Sequence, residues 1–260
     1  MTPTVWTYLI VCPLVLLAGF VDSVAGGGGV ISLPAYLLAG IPVKLAAGTN
    51  KLANGCGTAL AAAKYAKSGN VDWACALPAA AFSLLGSAIG TSFAVYMKDE
   101  VLKIIILAAL PAVAVILLFV RKKDTGEETL RELPRGRIIL LSSLIGLGIG
   151  IYDGLIGPGT GTFLTLAFSL ALGFTLLRAS GCARMANLAS NIASLIVYLM
   201  HGDVLFAVGI PAIACSMLGN YLGSRFAIRG GSAKIRLVMF AVLALLFIKT
   251  ALELAGVIDF

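Results

Sequence analysis

Apolar runs too long for a water-soluble core set the terms for this chain. The stretches 137–152 and 234–252 are almost free of turn residues, and a helix that crosses a bilayer needs roughly 20 such residues. A soluble domain carries about 25% charged and ~45–50% apolar residues. Here 12% are charged and 60% hydrophobic. So apolar a surface has no place in water, whereas a bilayer accepts it provided the backbone polar groups are paired internally. The expected fold class is therefore all-α, a polytopic transmembrane helix bundle. The first apolar run does not read as a removable signal peptide. Met1-Thr-Pro-Thr-Val-Trp6 lacks Lys and Arg and leads straight into further apolar sequence.

The formal charge of +7 does not indicate nucleic acid, because the basic residues fall in short loops between apolar runs. That distribution is the positive-inside bias of membrane proteins. Cys12, Cys56, Cys75, Cys182 and Cys215 are scattered within apolar segments without metal-ligand spacing, and His201 is the sole histidine. No metal, cofactor or hydrolase motif is expected, and the chain does not read as an enzyme.

An internal repeat organises the rest. Gly69-Asn-Val71 recurs as Gly202-Asp-Val204, and Leu77-Pro-Ala-Ala-Ala-Phe-Ser83 as Ile210-Pro-Ala-Ile-Ala-Cys-Ser216. Lys51-Leu-Ala-Asn54 aligns with Arg184-Met-Ala-Asn187 at the same offset. With a slip of two residues, Asp22-Ser-Val-Ala-Gly-Gly-Gly28 aligns with Asp153-Gly-Leu-Ile-Gly-Pro-Gly159. The division is a first repeat over 1–120, a basic linker over 121–136 and a second repeat over 137–260. Each repeat reads as five segments: 4–24, 29–41, 43–66, 73–97 and 100–120, then 137–154, 160–173, 175–200, 203–227 and 234–255. The basic loop follows the third segment in the first half (Lys64, Lys67) and the fourth in the second (Arg225, Arg229, Lys234, Arg236). A bias that flips in this way predicts inverted repeats, with the linker cytoplasmic and both termini outside.

Three features are costly in a bilayer. The breaks Ala25-Gly-Gly-Gly-Gly29 and Gly157-Pro-Gly-Thr-Gly161 cannot continue a helix. Such backbone survives at membrane depth only inside protein or beside a wet cavity. Half-helices starting there would offer the N–H groups of Gly27, Gly28, Gly29, Gly159, Thr160 and Gly161 to an anion. Lys51 and Arg184 lie within the third segments, beside Asn50, Asn54, Asn187 and Asn191. A cation there costs at least ~2.5–3.5 kcal/mol, so it must face the interior and find a partner. Two cations ringed by amides would form a cage for an oxyanion. The plainer alternative is a permanent salt bridge to Asp22 and Asp153 that merely holds the halves together. Those aspartates, each just before a break, would serve either as caps of the following half-helix or as proton-coupling groups.

These residues carry a resemblance. Gly19-Phe-Val-Asp-Ser-Val-Ala-Gly-Gly-Gly-Gly29 followed by Leu33-Pro34, Ala47-Gly-Thr-Asn-Lys-Leu52, Gly150-Ile-Tyr-Asp-Gly-Leu-Ile-Gly-Pro-Gly159 and Asn187-Leu-Ala-Ser-Asn191 make the chain similar to the TauE/SafE sulfite-exporter family, the TSUP transporters. Their wording is closest to the branch called probable membrane transporter proteins. The resemblance implies a secondary transporter in a prokaryotic inner membrane for sulfite, sulfonates or related small anions, often an exporter. The expectation is an alternating-access carrier of a small anion, with membrane lipid as its surroundings and a homodimer as its assembly. The alternatives are a passive anion channel or a carrier of another small organic anion.

Overall fold

In the computed structural model, residues 3–102, 104–105 and 133–254 are described, and they are helical apart from short connections. In chain order the helices are α1 (Val5–Ala25), α2 (Gly29–Leu38), α3 (Val43–Lys67), α4 (Trp73–Tyr96), α5 (Arg135–Leu155), α6 (Thr160–Leu172), α7 (Leu176–Met200) and α8 (Phe206–Leu254). A further helical turn begins at Asp99. The expected segment 100–120 lies largely outside the described residues, and so does most of the linker 121–136.

Local sequence explains the helix starts. Asp72 caps α4 by accepting from the Cys75 N–H at 3.1 Å, and Thr175 caps α7 by accepting from the Arg178 N–H at 3.3 Å. Gly231, at φ 63° and ψ −163°, breaks α8. That break falls between the segments 203–227 and 234–255 expected from sequence.

Among the described residues five helices are long and apolar enough to cross a membrane: α1, α4, α5, α7 and α8 as far as Met239. At 1.5 Å rise per residue, α2 and α6 extend only about 15 and ~20 Å, short of a hydrocarbon core of ~30 Å.

The bundle is turned inside out relative to a soluble protein. Leu9 and Leu17 of α1, Leu77 and Phe93 of α4, Leu140 and Leu144 of α5, and Ile210 and Leu218 of α8 are exposed. Asp22, Lys51, Asp153, Arg184, Asn187 and Asn191 are buried. Small residues allow the helices to approach closely, as in membrane bundles generally. Gly146, Gly150 and Gly154 of α5 lie against the backbone of Ala79, Ser83 and Ser87 of α4. Gly219 and Gly223 of α8 lie in the same way against Leu16 and Phe20 of α1.

The packing is reciprocal between the halves: α4 packs along α5, α1 along α8, and α3 against α7. At one end of the bundle the Tyr8 hydroxyl donates to the Ala207 carbonyl, Lys44 pairs with Asp99 at 3.3 Å, and Tyr96 stacks edge-on to His201. At the other end Lys64 donates to the Tyr221 carbonyl and Arg178 pairs with Asp72 at 2.6 Å. The C-terminal end of α3 and the N-terminal end of α7 therefore lie together.

Candidate functional site

The two glycine breaks touch. Gly26 ends α1 with φ 85°, a left-handed conformation that glycine adopts without strain. Its carbonyl accepts from the Thr162 N–H at 3.3 Å, and the Ala25 carbonyl accepts from the Thr162 hydroxyl at 2.8 Å. A side chain on Gly26 would overlap the backbone of Gly161 and Thr162, so the contact requires glycine. Gly157, its equivalent in the second half, has φ 89°, and Gly159, with φ 83°, enters α6. The amides of Gly28, Gly29, Gly159 and Gly161 donate to no backbone acceptor among the described residues.

Around this crossing the four membrane-embedded charges pair between the halves. Lys51 Nζ donates to the Asp153 carboxylate at 2.6 Å and to the Asp153 carbonyl at 3.0 Å. Arg184 Nη1 donates to the Asp22 carbonyl at 2.6 Å and to its carboxylate at 3.0 Å. The two carboxylates are held unequally. Asp153 also accepts from the Thr160 hydroxyl at 2.7 Å and the Ser190 hydroxyl at 2.6 Å, whereas among the described residues Asp22 has only Thr58 at 3.5 Å in addition. Neither aspartate side chain caps the following half-helix: α2 and α6 start without a side-chain cap bond. The cations have claimed both carboxylates instead. Nε and Nη2 of Arg184 are buried with no hydrogen-bond partner among the described residues, and Nη2 lies against Gly161. Buried donors on a charged group are costly to leave unmade.

A cavity of about 30 Å³ lies beside these pairs, room for about one water molecule. Of the residues singled out from sequence, Asp22, Gly29, Asn50, Lys51, Asn54, Asp153, Thr160, Gly161, Asn187 and Asn191 line it. Gly27, Gly28, Gly159 and Arg184 do not; Arg184 stands behind Gly161. Asn54 donates to Asn50 at 3.1 Å. The side chains of Asn187 and Asn191, one helical turn apart on α7, bond to nothing among the described residues and are left to the cavity.

Sequence reasoning missed four participants. Thr58 and Ser190 contact the aspartates, Tyr198 lines the cavity, and Tyr65 donates to the Ser23 carbonyl at 3.1 Å. The repeat offers a signal for two of them, because Tyr65 and Tyr198 are equivalent at the offset that pairs Lys51 with Arg184. Ser190 belongs to a hydroxyl chain with no such mark. Ser87 bonds Ser194 at 2.6 Å and the Ser190 carbonyl at 2.8 Å, and Thr91 donates to Ser194 at 2.8 Å.

An all-helical bundle with an apolar exterior, broken helices and a polar centre is the architecture of a polytopic membrane protein. Comparison with known proteins identifies which kind. The family model for the sulfite exporter TauE/SafE matches residues 11–250, and the chain belongs to that family. It is 38% identical to a probable membrane transporter protein, ORF9, of Sinorhizobium sp., covering 87% of this chain and 85% of that protein. It is 35% identical to a probable membrane transporter protein of Haemophilus influenzae, covering 84% of each. With the probable membrane transporter protein YfcA of Escherichia coli the identity is 32%, over 93% of this chain and 88% of the other. No solved structure matches.

Proposed function

We propose that this protein is a secondary carrier that exports a small anion, such as sulfite, an organosulfonate or a related sulfur oxyanion, by alternating access. One observation carries the reading: Lys51, held by the other half's Asp153, lines a cavity together with the amides of Asn187 and Asn191, and Arg184, held by the other half's Asp22, stands behind it at Gly161. Lys51 supplies a point charge and Arg184 its unused Nε and Nη2 donors, while the amides orient the solute. The ion pairs bridge the two halves, so exposing the site to either side requires the halves to part, which favours a carrier over an open channel.

The charges at the site sum to zero, two cations against two carboxylates, so an added anion leaves an excess charge in a low-dielectric interior. A proton taken by Asp22, the more loosely held carboxylate, would release Arg184 and cancel that excess. The groups facing Asp22 are Arg184 of α7 and Thr58 and Tyr65 of α3. The end-to-end placement supports inverted repeats over 1–120 and 137–260. The C-terminal end of α3 meets α8 near Tyr221, whereas that of α7, at His201, meets the end of α4. With the linker in the cytoplasm, both termini then lie outside a plasma or inner membrane.

The test is uptake into proteoliposomes of sulfite, thiosulfate, sulfoacetate, taurine, sulfate and small carboxylates, with and without a pH gradient. Saturation and counterflow of one sulfur oxyanion are expected. Movement of a cationic solute while every anion failed would overturn the reading, and unsaturable conductance would make the protein a channel.

A further inference from the structure

Away from the central site, the ends of α3 and of the first part of α8 enclose a second cleft of about 310 Å³, lined by Lys64, Lys67, Ser68, Arg225, Ile228 and Arg229. Four of these six residues are cations. Among the described residues no carboxylate pairs with any of the four. Lys64 is fixed in place: its Nζ donates to the Tyr221 carbonyl at 3.0 Å and sits 3.3 Å above the centre of the Tyr221 ring. Just beyond the cleft Lys234 lies over the Phe226 ring at 4.3 Å. The positive-inside rule accounts for basic residues at this end. It does not account for four of them, drawn from two helices distant in sequence, converging on one concavity against their mutual repulsion. Such an arrangement is stable when a bound anion completes it.

We propose that this cleft binds a phosphate-bearing anion, and that its occupant in a bilayer is the headgroup of an acidic phospholipid. Two observations favour lipid over a free anion. The cleft opens beside the outward apolar face of α8, where Met217, Leu218, Tyr221 and Leu222 are exposed and acyl chains would lie. Its own lining also includes Ile228, so the phosphate would sit at the depth where headgroup gives way to hydrocarbon. Basic pockets between helices at the cytoplasmic surface recognise headgroups in this manner. The lipid would tie the end of α3 to α8 and so couple the two halves at the face opposite Asp99 and Asp203.

Purified full-length protein in nonionic detergent tests this by thermal shift, titrated with dioctanoyl phosphatidylglycerol, dioctanoyl phosphatidylcholine or inorganic phosphate. Saturable protection by phosphatidylglycerol alone is expected, weakening as salt is raised. Replacing two cations in Arg225→Gln/Arg229→Gln should weaken it roughly thirtyfold, from the worth of a basic residue beside an acidic headgroup. The variant Arg225→Lys/Arg229→Lys, which keeps the charge, should retain most of it, and Lys98→Gln, at the other end of the bundle, should change nothing. Equal protection by phosphatidylcholine, or an unchanged midpoint in the Gln variant, would overturn the proposal. Equal protection by inorganic phosphate alone would overturn the lipid as occupant.

Discussion

Replacing Asp153 by Asn separates a structural clamp from a binding group. Asp153 is 3% exposed and receives Lys51 Nζ at 2.6 Å, Thr160 at 2.7 Å and Ser190 at 2.6 Å. Lys51 is itself 6% exposed. The variant Asp153→Asn puts an amide among these donors and leaves Lys51 an uncompensated buried charge, which costs about 3–5 kcal/mol. At roughly 2–4 °C per kcal/mol for a chain of this size, the midpoint should fall on the order of 10 °C. Scan rate must be held constant, because membrane proteins unfold irreversibly. Removing the partner as well, in Lys51→Met/Asp153→Asn, deletes the stranded cation and should restore much of that loss, a coupling that a double-mutant cycle measures. Transport should stay abolished in the double variant under the proposed function, in which Lys51 is the charge offered to the solute. Thermal stability by size-exclusion chromatography and counterflow in proteoliposomes read the two outcomes separately. Recovery of transport together with stability would refute a binding role for Lys51 and reduce the pair to a clamp. A single variant as stable as the wild type would refute the buried ion pair itself.

Further outcomes follow from the same geometry. Asn187→Ala and Asn191→Ala should each raise the KM for the solute about tenfold or more, the worth of a hydrogen bond to a charged group. They should leave the thermal midpoint nearly unchanged, since neither amide bonds another group among the described residues; paired transport kinetics and melting curves check this. Gly26→Ala should prevent accumulation of folded protein, because its Cβ would overlap the Gly161 backbone, whereas Gly148→Ala, with open space around it, should accumulate normally. Detergent-extractable yield distinguishes them. Asp203, between α7 and α8, has its carboxyl raised above the usual range by burial and by Asp99, against the lowering influence of Lys44 and His201. A carboxyl raised on folding favours the protonated form, so its contribution is present below the ordinary value near 4 and lost as pH rises through the folded value. Asp203→Asn should therefore gain stability over wild type as pH increases above that range, read from melting midpoints across a pH series; a constant difference would contradict it.

What the sequence determined by itself is what a bilayer makes locally expensive. A cation such as Lys51 or Arg184 in an apolar run, or a glycine cluster such as 26–29, carries its cost wherever the helix packs, so each stands out without a neighbour in view. Duplication then made single signals into pairs, which is why ten of the fourteen residues singled out line one cavity. The helix limits were legible for the same reason, with α2 and α6 starting at the expected residues 29 and 160. Tertiary structure alone decided who pairs with whom. Each aspartate precedes a break in its own half, which suggests a cap, yet the packing of α3 against α7 carries Lys51 to Asp153 and Arg184 to Asp22. Partner choice in a bundle is set by which helix faces meet, and no spacing along one chain encodes that. Thr58, Ser190 and the Ser87–Ser194 contact were hidden for a related reason: a hydroxyl can satisfy itself on its own helix backbone, so its presence in a span costs little and signals nothing. The two glycine breaks, conspicuous from the start as interruptions, are in contact with each other across the halves, beside the candidate site.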